Sequence, residues 1–143
     1  LSSRDLTYPT GAQPIDSNQD GRLDVVVTTR YNQKNISIFG GGVFLFQNVA
    51  NNANNYFIVK VPVLIRGRTT TDAIVKLVTA TRTLYRRVGG EGEGRTQSFN
   101  NHVHFGIGST RTLRSVTLKL LNGPVFTKSL SRVRVNTMYE FRV

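Results

Sequence analysis

The fold is decided by the stretch Ser115-Val116-Thr117-Leu118-Lys119-Leu120-Leu121-Asn122-Gly123-Pro124-Val125. Its first six residues alternate with period two, as they do in a β-strand that buries one face. Asn122-Gly123 is a strong signal for a tight hairpin turn, because both residue types tolerate positive φ angles. We therefore predict a hairpin between Leu118–Leu121 and Val125–Leu130.

Short runs of β-branched or aromatic residues recur on both sides of this hairpin. They are Val25–Val27, Val43–Phe46, Tyr56–Val59, Ile74–Val78, Arg132–Val135 and Tyr139–Val143. Gly-rich segments lie between several of these runs, and no stretch has a convincing helical stripe of apolar residues. Many short strands joined by Gly-rich turns predict an all-β fold, either a sandwich or a barrel.

Composition narrows the class of protein. The 143 residues contain no Cys, which excludes a disulfide scaffold and cysteine metal sites. No run of about 18 apolar residues occurs, so we expect no membrane span. Lys and Arg number 19 against 8 Asp and Glu, a net charge of +11. This excess of cations favours a partner that carries many negative charges.

The Asn-rich stretch from Asn48 to Asn55 indicates a boundary between two parts of the chain. It has five Asn in eight residues and no apolar pattern. We predict one domain over residues 1–50 and a second over residues 51–143. The first part is short for an independent domain, so we expect it to pack on the second part or on another chain.

The loop from Asp16 to Asp24 has the spacing of a calcium-binding loop. Oxygen-bearing side chains lie at positions one, three, five and nine, and Gly21 lies at position six. Alternating residues of a tight loop can converge on a hard cation such as Ca²⁺. The predicted ligands are Asp16, Asn18, Asp20, the Arg22 carbonyl and Asp24. A turn rich in Asp and Asn without metal is the alternative.

This loop and the strand after it resemble the calcium loop of FG-GAP/VCBS-type propeller repeats, which occur in integrin-like extracellular proteins. The rest of the chain is similar to the ASPIC/UnbV domain that ends the cartilage acidic protein family. The resemblance is carried by five segments in the family's order: Asn55–Val61, Asp72–Leu77, Arg87–Gly92, His104–Gly108 and Val116–Gly123.

The resemblance implies an antiparallel β-sandwich preceded by a single propeller-type β repeat with a calcium loop. It also implies a secreted, extracellular protein with an adhesion or matrix role and no catalytic residues. The chain departs from the family in having no Trp, since Leu120-Leu121-Asn122-Gly123 stands where the family has Trp-Pro-x-Gly. It is also basic where family members are often acidic, so the partner does not carry over.

Seven Arg residues form the candidate surface for binding a polyanion. They are Arg66, Arg68, Arg82, Arg86, Arg87, Arg132 and Arg134. Arg132 and Arg134 share one face if their segment is a strand, and could follow a linear polyanion. The alternative is a solvated basic face that keeps the protein soluble. Asn35 begins an Asn-Ile-Ser glycosylation sequon, which is meaningful if the chain is secreted.

Two other groups of residues have weaker patterns. His102 and His104 could share a Zn²⁺ ion, but two ligands are too few and structural histidines are the better interpretation. Glu91 and Glu93 lie in a Gly-rich run that lacks the ending of a phosphate-binding loop, so a turn is expected there. A hydrolase would need a cleft around such a carboxylate or histidine.

The sequence therefore predicts a protein that is not an enzyme. We expect an extracellular, calcium-binding adhesion, matrix or self-assembling structural module with a basic surface. Its expected partners are acidic glycans, a mineral surface or further copies of itself. A polyanion-binding protein that uses the Arg residues on nucleic acid or sulfated glycan is the alternative, with nucleic acid disfavoured because few aromatics lie among the basic strands.

Overall fold

A computed structural model describes residues 9–29, 42–51, 53–90 and 101–143 of the chain. Every regular element within these residues is a β-strand, and none is helical. All strand pairs are antiparallel except one. The prediction of an all-β fold is confirmed.

The chain divides into two compact units, and the described residues up to residue 50 belong to unit 1. Unit 1 is a three-stranded antiparallel sheet in the order β1 (Pro9–Ile15), β2 (Asp24–Thr29) and β3 (Val43–Phe46). Pro9 and Pro14 fit β1 because an edge strand tolerates residues that have no N–H. Among its described residues only Asp24 and Thr29 are buried, so no apolar side chain of these residues is fully enclosed.

The described residues from residue 51 onward belong to unit 2. The strands of this unit are β4 (Asn55–Lys60), β5 (Leu64–Ile65), β6 (Arg68–Thr69), β7 (Ile74–Thr79), β8 (Thr83–Arg87), β9 (His102–Gly108), β10 (Leu113–Lys119), β11 (Val125–Ser129) and β12 (Met138–Glu140). The larger sheet has the order β11-β10-β7-β8 and the smaller one β12-β4-β9, while β5 and β6 form a separate ribbon. The pair β12–β4 is the parallel one.

The inward residues of both sheets of unit 2 meet in one apolar cluster. Phe57 on β4, Phe105 on β9 and Leu118 on β10 are each 0% exposed. Phe141, just after β12, is 1% exposed and belongs to the same cluster. Period-two alternation places these residues inward on β7, β9 and β10, whereas β4 buries three consecutive residues, Phe57, Ile58 and Val59.

The predicted hairpin is confirmed. Strands β10 and β11 pair antiparallel, with Lys119 opposite Val125 next to the turn. Asn122 has a φ of 48°, in the left-handed region that Asn adopts more readily than most residues. The turn closes through the Gly123 N–H, which donates to the Leu120 carbonyl at 3.2 Å.

The predicted strand over Arg132–Val135 is wrong. The Val133 N–H donates to the Leu130 carbonyl at 2.9 Å, which closes a local turn in place of a strand ladder. The chain then turns again at Asn136, whose φ is 57°. The apolar-polar alternation is nevertheless real, since Val133 and Val135 pack partly buried against the core. The last predicted strand, Tyr139–Val143, shortens to β12.

Candidate functional site

The Asp-rich loop connects β1 to β2 and is closed by its own backbone. Asp16 lies next to the end of β1, and its Oδ1 accepts the Asp20 N–H at 3.0 Å. Its Oδ2 accepts the Gly21 N–H at 2.9 Å. Gln19 and Gly21 have φ angles of 60° and 86°, which let the chain reverse within a few residues. The carboxylate of Asp16 is therefore the centre around which the loop turns.

The middle of the loop brings Asn18 and Asp20 to the same turn. Asn18 Oδ1 accepts the Asp20 N–H at 3.2 Å, and Asn18 Nδ2 donates to Asp20 Oδ2 at 2.8 Å. Asp20 Oδ1 accepts the Arg22 N–H at 2.8 Å, and the Arg22 guanidinium forms an ion pair with Oδ2. The Arg22 N–H bond is the main reason that the pKa of Asp20 lies below its ordinary value. Asp20 is thus held in its charged form.

Asp24 at the start of β2 fastens the loop to the sheet. This residue is 1% exposed, and its Oδ2 accepts both the N–H and the hydroxyl of Ser17. Its Oδ1 accepts the Asn48 N–H, just after β3, at 2.8 Å. The Ser17 hydroxyl contributes most to lowering the pKa of Asp24, and the Asn48 N–H contributes next. The side chain therefore links both ends of the loop to the end of β3.

The donor set fits a hard cation by its chemistry, because it offers carboxylate and amide oxygens. Each bond from a backbone N–H uses one lone pair of an oxygen and leaves another available for an ion. The described residues nevertheless contain no cluster of three or more Asp, Glu, His or Cys side chains arranged to hold a metal. Asp24 faces Ser17 and Asn48, and Arg22 lies on Asp20. Calcium would therefore replace internal donors rather than enter a fully preformed cage.

Two of the predicted polyanion-binding arginines lie over aromatic rings of unit 2. The guanidinium carbon of Arg66 is 5.6 Å from the centroid of Phe126. That of Arg86 is 5.7 Å from the centroid of Phe105, which is a core residue. Such cation–π contacts contribute on the order of 0.5–1 kcal/mol each near the surface. Both side chains thus have a structural role in this fold.

Two further arginines bond to neighbouring parts of the same unit. Arg82 donates through Nη2 to the Ile107 carbonyl at 3.2 Å, which ties the β7–β8 turn to β9. Arg87 Nη1 lies 3.3 Å from Asp72 Oδ1. The sequence pattern does not reveal these two contacts, because Ile107 and Asp72 are distant in sequence from the arginines that they contact.

The remaining three arginines stay on the surface. Arg68 lies beside the β10–β11 turn. Its Nη1 would be 3.7 Å from a Cβ atom if Gly123 carried one. Arg132 and Arg134 are exposed on the irregular segment after β11, so no strand presents them as a pair. The strand that was predicted to pair Arg132 with Arg134 is therefore absent, and binding of a polyanion by the seven arginines stays a prediction.

The two histidines lie on the outer side of β9. The ring of His104 stacks on Tyr56, with centroids 5.9 Å apart. His102 pairs with Lys60 on β4, and its pKa is lowered first by burial and then by this ammonium group. A neighbouring cation disfavours a metal ion. The structural interpretation of these histidines is the one that the contacts support.

A groove of about 570 Å³ in unit 2 was missed by the sequence reasoning. Its polar lining includes Lys60, Arg66, Glu140 and Arg142, and its apolar lining includes Phe141. Glu140 and Arg142 form an ion pair at 2.6 Å, which lowers the pKa of Glu140. The alternation of residues 139–143 indicates that Glu140 and Arg142 lie on the same side of the chain. Nothing in the sequence identifies the residues that form the opposite wall of the groove.

Lys76 and Lys119 were also not among the predicted binding residues. Both lie at outward positions of the larger sheet, which the alternation of their strands already indicated. The glycosylation sequon at Asn35 lies outside the described residues, as do Glu91 and Glu93.

Comparison with known proteins adds no relative. No protein-family model matches the chain, and no curated protein matches it either. Within the described ranges, no helix is long and apolar enough to cross a membrane.

Proposed function

We propose that this chain is a non-enzymatic, secreted module of adhesion or matrix, in which Ca²⁺ orders the loop of unit 1. The observation that carries the proposal is the Asp16–Asp24 loop. Its backbone N–H groups fold it around Asp16, so Asn18 and Asp20 lie on one tight turn. A divalent cation would bind the carboxylate and amide oxygens that this turn presents within a few residues.

The residues that would hold the ion are Asp16, Asn18, Asp20, the Arg22 carbonyl and Asp24. Asp24 contributes even without direct contact, because it fixes Ser17 and the end of β3. Arg22 would leave Asp20 when the ion arrives, since a guanidinium and Ca²⁺ compete for the same oxygen. When bound, the ion supplies electrostatic stabilisation of the folded loop and no chemistry on a substrate.

The fold proposed for the two units follows the resemblance to FG-GAP/VCBS repeats and to ASPIC/UnbV domains. In support, unit 1 holds three antiparallel strands with the Asp-rich loop before the second one. In unit 2 two sheets share one apolar cluster, as the sheets of a β-sandwich do. The His104–Gly108 motif of the resemblance forms most of β9 and places Phe105 in that core.

Calorimetric titration of the whole chain with CaCl₂ tests the proposal. Binding to the folded loop stabilises unit 1 by about 2.7 kcal/mol when free Ca²⁺ is 100 times the Kd. Hydrogen–deuterium exchange of peptides from residues 9–29 should slow accordingly, and EDTA should reverse the effect. Asp16→Asn should abolish the response. Its matched control is Asp72→Asn, which removes one carboxylate from unit 2 at a residue whose positive φ Asn tolerates.

The proposal fails if Ca²⁺ produces no heat of binding and leaves the exchange of residues 9–29 unchanged. It also fails if Asp72→Asn abolishes the response as completely as Asp16→Asn does, because the loop would then not be the site.

Self-association through unit 1 is a second candidate. Val43, Leu45 and Phe46 on β3 are 73%, 50% and 43% exposed, so this sheet presents apolar side chains without cover. In unit 2, by contrast, the edge strand β11 carries Lys128 on its inward side, opposite the buried Val116. An inward charge on an edge strand opposes strand addition there. Assembly, if present, would therefore use unit 1.

Sedimentation velocity over a range of protein concentrations tests this candidate. Wild-type protein is expected to associate, and Leu45→Lys is expected to remain monomeric because it places a charge on the exposed sheet. A wild-type monomer at high concentration in Ca²⁺ would exclude assembly without affecting the calcium proposal.

A further inference from the structure

The outer face of the larger sheet of unit 2 presents twelve residues in three rows across four strands. The register of the ladders defines these rows. The first row is Val125, Lys119, Ile74 and Arg87; the second is Thr127, Thr117, Lys76 and Tyr85; the third is Ser129, Ser115, Val78 and Thr83. The opposite faces of the two central strands carry Val75, Leu77, Val116 and Leu118, all of them 0% exposed.

The charge on this face has one sign. Lys76, Lys119 and Arg87 are cationic, and none of the twelve residues is Asp or Glu. Lys76 is diagonal to both of the others, and the two residues of a diagonal pair lie about 7–8 Å apart. Asp72 forms an ion pair with Arg87 from outside the face, and this contact is exposed and weak. The three cations thus form a triangle around Ile74.

Five of the other nine residues on the face carry an aliphatic hydroxyl, three are aliphatic and one is aromatic. Thr117 and Thr127 share a hydroxyl–hydroxyl hydrogen bond at 3.0 Å, and Ser115 stands opposite Ser129 in the next row. Tyr85 is the one aromatic residue of the twelve and is 57% exposed. A surface that binds single-stranded nucleic acid stacks successive bases on several aromatic rings. Hydroxyls beside fixed cations suit a partner that itself has hydroxyls and acidic groups.

We propose that this face binds a linear sulfated glycan, with Lys76, Lys119 and Arg87 contacting sulfate groups and the Ser and Thr hydroxyls contacting the sugars. The inference rests on the proposed extracellular role and names the partner chemistry of unit 2. Charge complementarity supports this partner, since unit 2 (residues 51–90 and 99–143) has 14 Lys and Arg against two Asp and Glu. Most of the arginines predicted to bind polyanions have partners within the unit, whereas the two lysines lie at outward positions of the central strands β7 and β10.

The test is the binding of a heparin oligosaccharide to the whole chain in a salt series. For three sulfate contacts, counterion release predicts that affinity falls roughly 40-fold between 50 and 200 mM salt. Lys76→Gln/Lys119→Gln leaves one contact and should reduce that fall to roughly 3–4-fold, together with a loss of affinity at low salt. Arg132→Gln/Arg134→Gln is the matched control, because it removes the same charge from exposed positions off the face. It should retain nearly the wild-type salt dependence.

Three outcomes would overturn the proposal. The first is no binding of heparin by the wild type at 50 mM salt. The second is an equal loss of binding in the two double variants, which would mean that diffuse net charge is responsible. The third is tighter binding of duplex DNA than of heparin by the same face.

Failure here is separable from failure of the calcium proposal. The Ca²⁺ response of residues 9–29 is measured on the same samples and depends on unit 1 alone. A variant that loses heparin binding but keeps that response and its melting temperature has lost the surface and not the fold.

Discussion

Two leucines lie three residues apart in the β10–β11 hairpin, and we predict that replacing each by Ala lowers the stability of unit 2 by very different amounts. Leu118 is 0% exposed on the central strand β10, with Phe126 and Val75 as its neighbours on the two adjoining strands. Leu121 lies in the turn and is 65% exposed. Leu118→Ala should therefore destabilise unit 2 strongly, whereas Leu121→Ala should change little.

The magnitudes follow from burial. Replacing a fully buried Leu by Ala costs about 2–5 kcal/mol, because the lost transfer energy is joined by the energy of the cavity left behind. For a domain near 100 residues, a cost of about 3 kcal/mol lowers the melting temperature by about 12–24 °C. An exposed position such as Leu121 should stay within about 0.5 kcal/mol of the wild type.

Differential scanning calorimetry and urea unfolding followed by circular dichroism measure both variants. Because the side-chain period of a strand is two, a slip of one residue would move every inward residue of β10 outward. Equal losses in the two variants, or a loss at Leu121 alone, would therefore refute the register. The same result would remove Lys119 from the outer face and with it the geometry of the proposed glycan surface.

Two pH responses follow from the perturbed groups. The pKa of His102 is lowered by burial and by Lys60, so the unfolded chain binds the proton more readily than the folded chain does. The stability of unit 2 should therefore be highest above about pH 6.5 and decline below it. His102→Gln should flatten this decline in urea unfolding, and an unchanged decline would contradict the assignment. The pKa of Asp24 is also lowered, by the Ser17 hydroxyl and the Asn48 N–H. In EDTA, the contribution of Asp24 to the stability of unit 1 should therefore be present above about pH 4 and be lost as pH falls through the folded pKa. Asp24→Asn should weaken this loss in hydrogen exchange of residues 9–29, and a loss of the same size would show that another group is responsible.

Local patterns in the sequence were sufficient for most strands of the molecule. Val43–Phe46 is β3 to the residue, and the Asn122-Gly123 turn lies where its backbone preference placed it. Alternation also identified Leu118 and Val116 as inward residues. These features depend on neighbours a few residues away, so a single chain without relatives is enough to reveal them.

Features that depend on distant neighbours were not predictable. At Arg132–Val135 the two Val residues pack partly buried, but the strand assignment is wrong because a strand also needs a partner for its N–H groups. The same limit applies to Arg66 and Arg86, since only the folded chain shows the rings of Phe126 and Phe105 beneath them. In the Asp-rich loop the positions were evident from spacing, whereas the contacts of Asp24 with Ser17 and Asn48 were not.

The parallel pair between β4 and β12 has a consequence for how the protein is made. The first strand of unit 2 lies in the middle of the smaller sheet, and one of its two neighbours is added about 80 residues later in the chain. During synthesis on the ribosome, Phe57 and its neighbours therefore emerge long before Phe141 can cover them. Unit 2 completes its core only after residues 138–141 leave the exit tunnel, and we expect it to fold more slowly than a protein rich in local contacts.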